Sequence, residues 1–76
     1  MDQSSLLLRR IDAQRNMARY YVLSIEPTLF GDIAVVRRWG RLGCHGRQII
    51  EICADRAAAC RAMEHYAKAK RRRGYG

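Results

Sequence analysis

Seventy-six residues with 15 Lys plus Arg against 7 Asp plus Glu carry a net charge of +8, and the pI is about 10.3. A chain of that length is one domain, burying only about 60% of the surface its unfolded form exposes, which excludes a deep enclosed pocket. So large a basic excess favours polyanionic partners, nucleic acid before an anionic membrane surface. The longest apolar run near the start, Leu6–Leu8, is too short for a signal-peptide core or a membrane span. The expected location is therefore cytoplasmic, and three cysteines without framework spacing fit reduced thiols there.

Residues 1–5 read as a loose polar end. Leu6–Ile11 is apolar enough for a short strand, and a polar link runs from Asp12 to Ala18. The segment "RYYVLSI", Arg19–Ile25, alternates cleanly, with Tyr21, Leu23 and Ile25 on one side and Tyr20, Val22 and Ser24 on the other. Pro27 and Gly31 punctuate a hairpin loop. A second strong strand, Ile33–Trp39, turns Ile33, Val35, Arg37 and Trp39 one way. Gly40, Gly43 and Gly46 follow at three-residue spacing and mark a turn. Gln48–Cys53 is the next strand. Asp55 is the expected N-cap of an Ala-rich helix whose apolar stripe is Ala59, Cys60, Met63, Tyr66 and Ala67, with Gly74 as its stop.

Strands followed by one helix predict an α+β domain, a small antiparallel meander of three to four strands packed against a C-terminal helix. Residues 1–18 form an N-terminal segment and 19–76 the main domain. One helix covers one sheet face, yet the first strong strand is apolar on both. The other face must tolerate water or meet Leu6–Ile11, a second copy or a ligand.

Little in the sequence points to catalysis. Cys44 and His45 adjoin in a turn, where neighbouring side chains rarely point together, and no carboxylate lies in sequence reach to orient the ring. CxxC pairs are absent, so neither a metal nor another cofactor is expected. The GxxGxxG spacing lacks the lysine–hydroxyl pair of a P-loop and reads as a hairpin turn whose N–H groups could help hold an anion. Lys68, Lys70, Arg71, Arg72 and Arg73 crowd the helix end. One or two such charges suit the macrodipole; five repel one another, and a polyanion contact is the alternative to a solvated end. The single Trp39 has two readings as well: an inward core residue at a strand end, or an exposed ring flanked by Arg37, Arg38 and Arg41 that stacks on a base or sugar while guanidinium groups pair with phosphate.

The stretch "RWGRLG" resembles the signature of the WGR domain. A "YY" strand about twenty residues earlier and a basic helix ending in "GYG" accompany it in the right order. The likeness covers Arg19 to Gly76 and is to a stand-alone bacterial version. It implies a sheet with one packed helix, and DNA binding near strand breaks, as in poly(ADP-ribose) polymerases. By position it makes Trp39 the stacking group, Arg41 a backbone or partner contact and Arg37 a phosphate contact, with Gly40 and Gly43 letting the backbone turn closely under the ligand. The expected site is Trp39, Arg37, Arg38, Gly40, Arg41, Gly43, Arg47, Lys68, Lys70, Arg71, Arg72 and Arg73. The expected function is non-enzymatic, sequence-independent nucleic-acid binding, DNA rather than RNA. The alternative is an adaptor for a protein partner, docking through the open sheet face or the Arg41 edge. A membrane role is not expected, because the helix's apolar face is shallow and Ala-rich.

Overall fold

A computed structural model describes residues 5–76; of the polar end expected over residues 1–5, residues 1–4 lie outside the described residues and Ser5 instead begins the first strand. Four strands, β1 (Ser5–Asp12), β2 (Met17–Pro27), β3 (Ile33–Arg41) and β4 (Arg47–Cys53), form one antiparallel sheet in chain order. The helix α1 (Arg56–Arg72) crosses one face. The expected α+β meander is what the chain forms, with Leu6–Ile11 as its fourth strand.

Local chemistry explains the joints. Asp12 accepts from the Gln14 N–H at 3.1 Å and starts a single 3-10 turn, Ala13–Arg15. Asn16 follows at φ 51, a conformation its short polar side chain tolerates, and returns the chain as β2. In the β2–β3 loop the Thr28 hydroxyl accepts from the N–H groups of Phe30 and Asp32, both at 3.2 Å. Asp55 caps α1 by accepting from Ala58 N–H at 2.8 Å. The helix ends where Gly74, at φ 96, lets the Tyr75 N–H return to the Lys70 carbonyl.

Residues opposite each other across an antiparallel pair share a face. Leu8, Tyr21, Leu23, Ile25 and Val35 therefore project together and meet Ala59 and Ala67 of α1 to form the core. Cys60, expected among them, is exposed: it lies at the edge of the helix stripe, while Ala59, Met63 and Tyr66 hold its centre. β1 lies beside β2 in the sheet plane and covers neither face. Among the described residues no second layer covers the outer face, and Leu7, Ile11, Ile50 and Ile52 stand exposed on it. Smaller side chains between them, Ser24, Ala34 and Val36, are nonetheless buried by their neighbours.

Candidate nucleic-acid interface

The helix-side face changes character toward the end of β3. Past the aliphatic core the register lays down two adjacent cross-strand rows. The first is Leu8, Tyr21, Trp39 and Arg47; the second is Arg10, Arg19 and Arg41. Arg37 precedes Trp39 on the same face. Like charges directly opposite on a sheet destabilise it by about 0.2–1 kcal/mol per pair, so three arginines in one row are costly to the fold.

Trp39 is half-buried. Its ring lies 6.2 Å from that of Tyr21 at 36° and packs against the core, while the rest is open. Part of the residue remains exposed, and the register puts Arg37, Arg41 and Arg47 on the same face. Arg37 sets its guanidinium 4.2 Å above the Tyr66 ring, and its buried Nε has no hydrogen-bond partner among the described residues.

The last turn of α1 adds to this charge. Lys70 Nζ sits 4.6 Å from the Tyr21 ring centre and 5.3 Å from that of Tyr75. Burial, then the charges of Arg73, Arg37 and Arg19, pulls the Lys70 amine below its ordinary value of 10.5. The nearby carboxylate, Glu51, is engaged: the Tyr66 hydroxyl donates to its Oε1 at 2.5 Å. That bond, followed by burial, raises the phenol above its ordinary 10.0, against the opposing pull of Arg37.

Other expected site residues fall elsewhere. Arg38 projects from the outer face, where its Nε donates to Gln48 Oε1 at 2.6 Å and a terminal nitrogen lies 3.9 Å from Glu26. Gly40 is also on that face. A Cβ there would come 2.8 Å from Gly46 Cα, so its smallness admits the returning turn. Gly43 takes φ 85 in the turn, where its carbonyl-side neighbour Cys44 donates to Arg41 O at 3.0 Å. Lys68, Arg71 and Arg72 line a separate open groove of about 1080 Å³ beside Leu6 and Ile25. The basic helix end is therefore divided: Lys70 lies over Tyr21, the ring beside Trp39, within reach of the charge of Arg73, and the other three charges flank the far side. Arg10 and Arg19 are the residues sequence reasoning missed. Arg19 could have been found from its i−2 spacing to Tyr21; Arg10 needed the register.

Cys44 and His45 are exposed in the turn. Among the described residues no three His, Cys, Asp or Glu side chains come together, and no helix is long and apolar enough to cross a membrane.

A small antiparallel sheet backed by one helix, with a half-buried aromatic ring on a face rich in cations, defines the class: a two-layer α+β domain. The particular family follows from comparison, since the WGR domain model matches residues 4–76 and the chain belongs to that family. It is also similar to the uncharacterised protein y4dW of Sinorhizobium fredii (strain NBRC 101917 / NGR234), 46% identical over 70 residues. Those residues are 92% of this chain but 34% of that protein, so the chain spans about a third of the relative's length. No solved structure matches at a significant level.

Proposed function

We propose that this chain is a non-enzymatic cytoplasmic module that binds nucleic acid without sequence preference, DNA rather than RNA, at ends or nicks. Trp39 stacks with its open side on the terminal sugar or base, and Arg37, Arg41, Arg47, Arg19 and Lys70 take the phosphates. The observation that carries this reading is the arginine row Arg10–Arg19–Arg41 beside Trp39, to which no carboxylate is paired among the described residues. A polyanion laid across it converts the mutual repulsion into pairing. The WGR domain's nucleic-acid binding in poly(ADP-ribose) polymerases supports the same class of ligand.

The test is a titration of short duplexes at two salt concentrations. With on the order of 3–5 phosphates engaged, log K should fall with log salt at roughly 0.9 per contact. Affinity weaker than about 0.1 mM at low salt rejects the reading, since non-specific binders usually exceed it.

Arg19→Gln separates fold from function. It should raise stability by a few tenths of a kcal/mol, to about 1, by relieving the row, and at the same time weaken DNA binding and flatten the salt slope by about 0.9. A thermal melt and the titration check both signs; a variant that loses stability contradicts the placement.

Lys70 adds a pH signature. Its charge is lost as pH rises through its lowered pKa, below the ordinary 10.5. A bound polyanion stabilises the charged form, so affinity should decline through that window and binding should take up a proton there. Tyr66, raised above 10.0, adds no negative charge at that point. Lys70→Arg should bind with no such decline; the measurement is affinity against pH in two buffers of different ionisation enthalpy.

A second reading, docking on a protein partner, is favoured by the β2–β3 loop tip, where Leu29 is 98% and Phe30 90% exposed. Leu29→Ser with Phe30→Ser should abolish capture of such a partner and leave the duplex titration unchanged.

A further inference from the structure

We propose that this chain pairs with a second copy of itself along the outer edge of β4, in a two-fold antiparallel register centred on Ile49. β4 ends the sheet, and among the described residues no strand adjoins it on that side. Single edges are normally blunted by Lys, Pro, a bulge or a covering segment. The opposite edge of this sheet is covered: Gly76 exchanges backbone bonds of 3.0 and 2.9 Å with Arg9 of β1. Nothing equivalent guards β4 among the described residues. Its sequence RQIIEIC lacks Lys and Pro, its pairing with β3 runs unbroken from Arg47 to Cys53, and Ile49, Ile50 and Ile52 are 42%, 56% and 56% exposed.

The direction of its peptide groups follows from the ladder. Leu42 N–H donates to Ala18 O at 2.9 Å, and these residues stand directly opposite when the β2–β3 register is continued by one pair. Even-numbered residues of β3 therefore bond to β2 and odd-numbered ones to β4, because the bonding side alternates along an antiparallel strand. Carried through the β3–β4 register, Arg47, Ile49, Glu51 and Cys53 bond inward. Gln48, Ile50 and Ile52 turn their N–H and C=O groups outward.

The occupant is chosen by the order of side chains. Centred on Ile49, the register sets Ile49 against Ile49 and joins the outward groups of Gln48 to those of Ile50. It also places Arg47 opposite Glu51 of the second copy, twice. Centred on Ile50, it offers no charge pairing; centred on Glu51, it opposes two carboxylates. The edge thus complements itself in one register, which a foreign strand would match only by coincidence. The two-fold axis is perpendicular to the sheet, so both helices and both Trp39 clusters lie on one side of a continuous sheet. Two four-stranded sheets become one of eight.

The experiment is sedimentation velocity on nucleic-acid-free protein over a range of concentration and salt. Mass should rise from one chain toward two with concentration. Added salt should favour the pair, since two chains of +8 repel, which is opposite in sign to DNA binding. Arg47→Glu and Glu51→Arg should each weaken pairing at least about tenfold by opposing like charges. Their equimolar mixture should restore a one-to-one heterodimer, because one chain then carries acid and the other base at both positions, and each facing pair joins opposite charges. Ile50→Pro removes one outward N–H while sparing the β3 ladder and should leave a folded monomer by circular dichroism. A parent that stays at one chain throughout overturns the proposal. So does an Ile50→Pro variant that still pairs, or a mixture of folded charge variants that stays monomeric. The sedimentation results leave nucleic-acid binding to be judged by the duplex titration of the unaltered chain, because Arg47 also belongs to the proposed phosphate contacts.

Discussion

Replacing Trp39 with alanine is expected to weaken binding to broken duplex by about 1–3 kcal/mol and to erase the preference for ends over closed circles. The same change should lower the melting temperature, because half of the indole packs on Tyr21 and the core. Truncating a fully buried aromatic costs about 3–5 kcal/mol; for a half-buried one the lower end of that range is an upper bound. Two losses from one residue must be separated. Trp39→Leu keeps an apolar side chain over Tyr21 and should recover much of the stability, but has no flat ring to stack. If Trp39→Leu selects ends as the parent does, the indole serves the core alone and the proposed site loses its centre. As the chain holds a single Trp, quenching of its fluorescence by duplex offers an independent reading in the unaltered protein.

The second large effect falls on a residue outside the expected site. Gly46→Ala should destabilise the domain by about 3 kcal/mol, at the upper end of overpacking costs. An added Cβ would lie 1.8 Å from the Trp39 carbonyl oxygen and 2.6 Å from both the Trp39 carbonyl carbon and the Tyr20 hydroxyl oxygen. The obstacle is backbone, so no rotamer change relieves it, and the end of β3 must move. Binding should fall with stability, since that strand end carries Trp39 and Arg41. Gly43→Ala is the contrast. Open space surrounds it, but its φ of 85 costs a side chain about 1–2 kcal/mol. Chemical denaturation of the two variants ranks them; Gly43→Ala as the more harmful would contradict the turn's packing.

Most of the element order was legible in the residues. Alternation from Arg19 to Ile25 and from Ile33 to Trp39 identified β2 and β3. Asp55 and Gly74 bracketed the helix, and the i, i+2 relation put Arg37 and Trp39 on one face. These are local matters, decided by pleat, cap and turn chemistry within a few positions. Cys60 was misread because a stripe drawn at 100° per residue has blurred margins, and only the sheet beneath decides which margin is covered. The mixed character of Trp39 was likewise out of reach, since periodicity assigns a face but not how far a neighbour extends over it.

What the chain order and spacing established was a meander with one helix, a strongly basic surface and a tryptophan beside arginines. Tertiary structure alone brought Arg10 and Arg19 into line with Arg41, drew Lys70 over Tyr21 while turning Lys68, Arg71 and Arg72 away, and left β4 with an edge that no described residue covers. The reason is physical. Strand register joins residues far apart in the chain, and a shift of one position would have sent the same arginines to the opposite face.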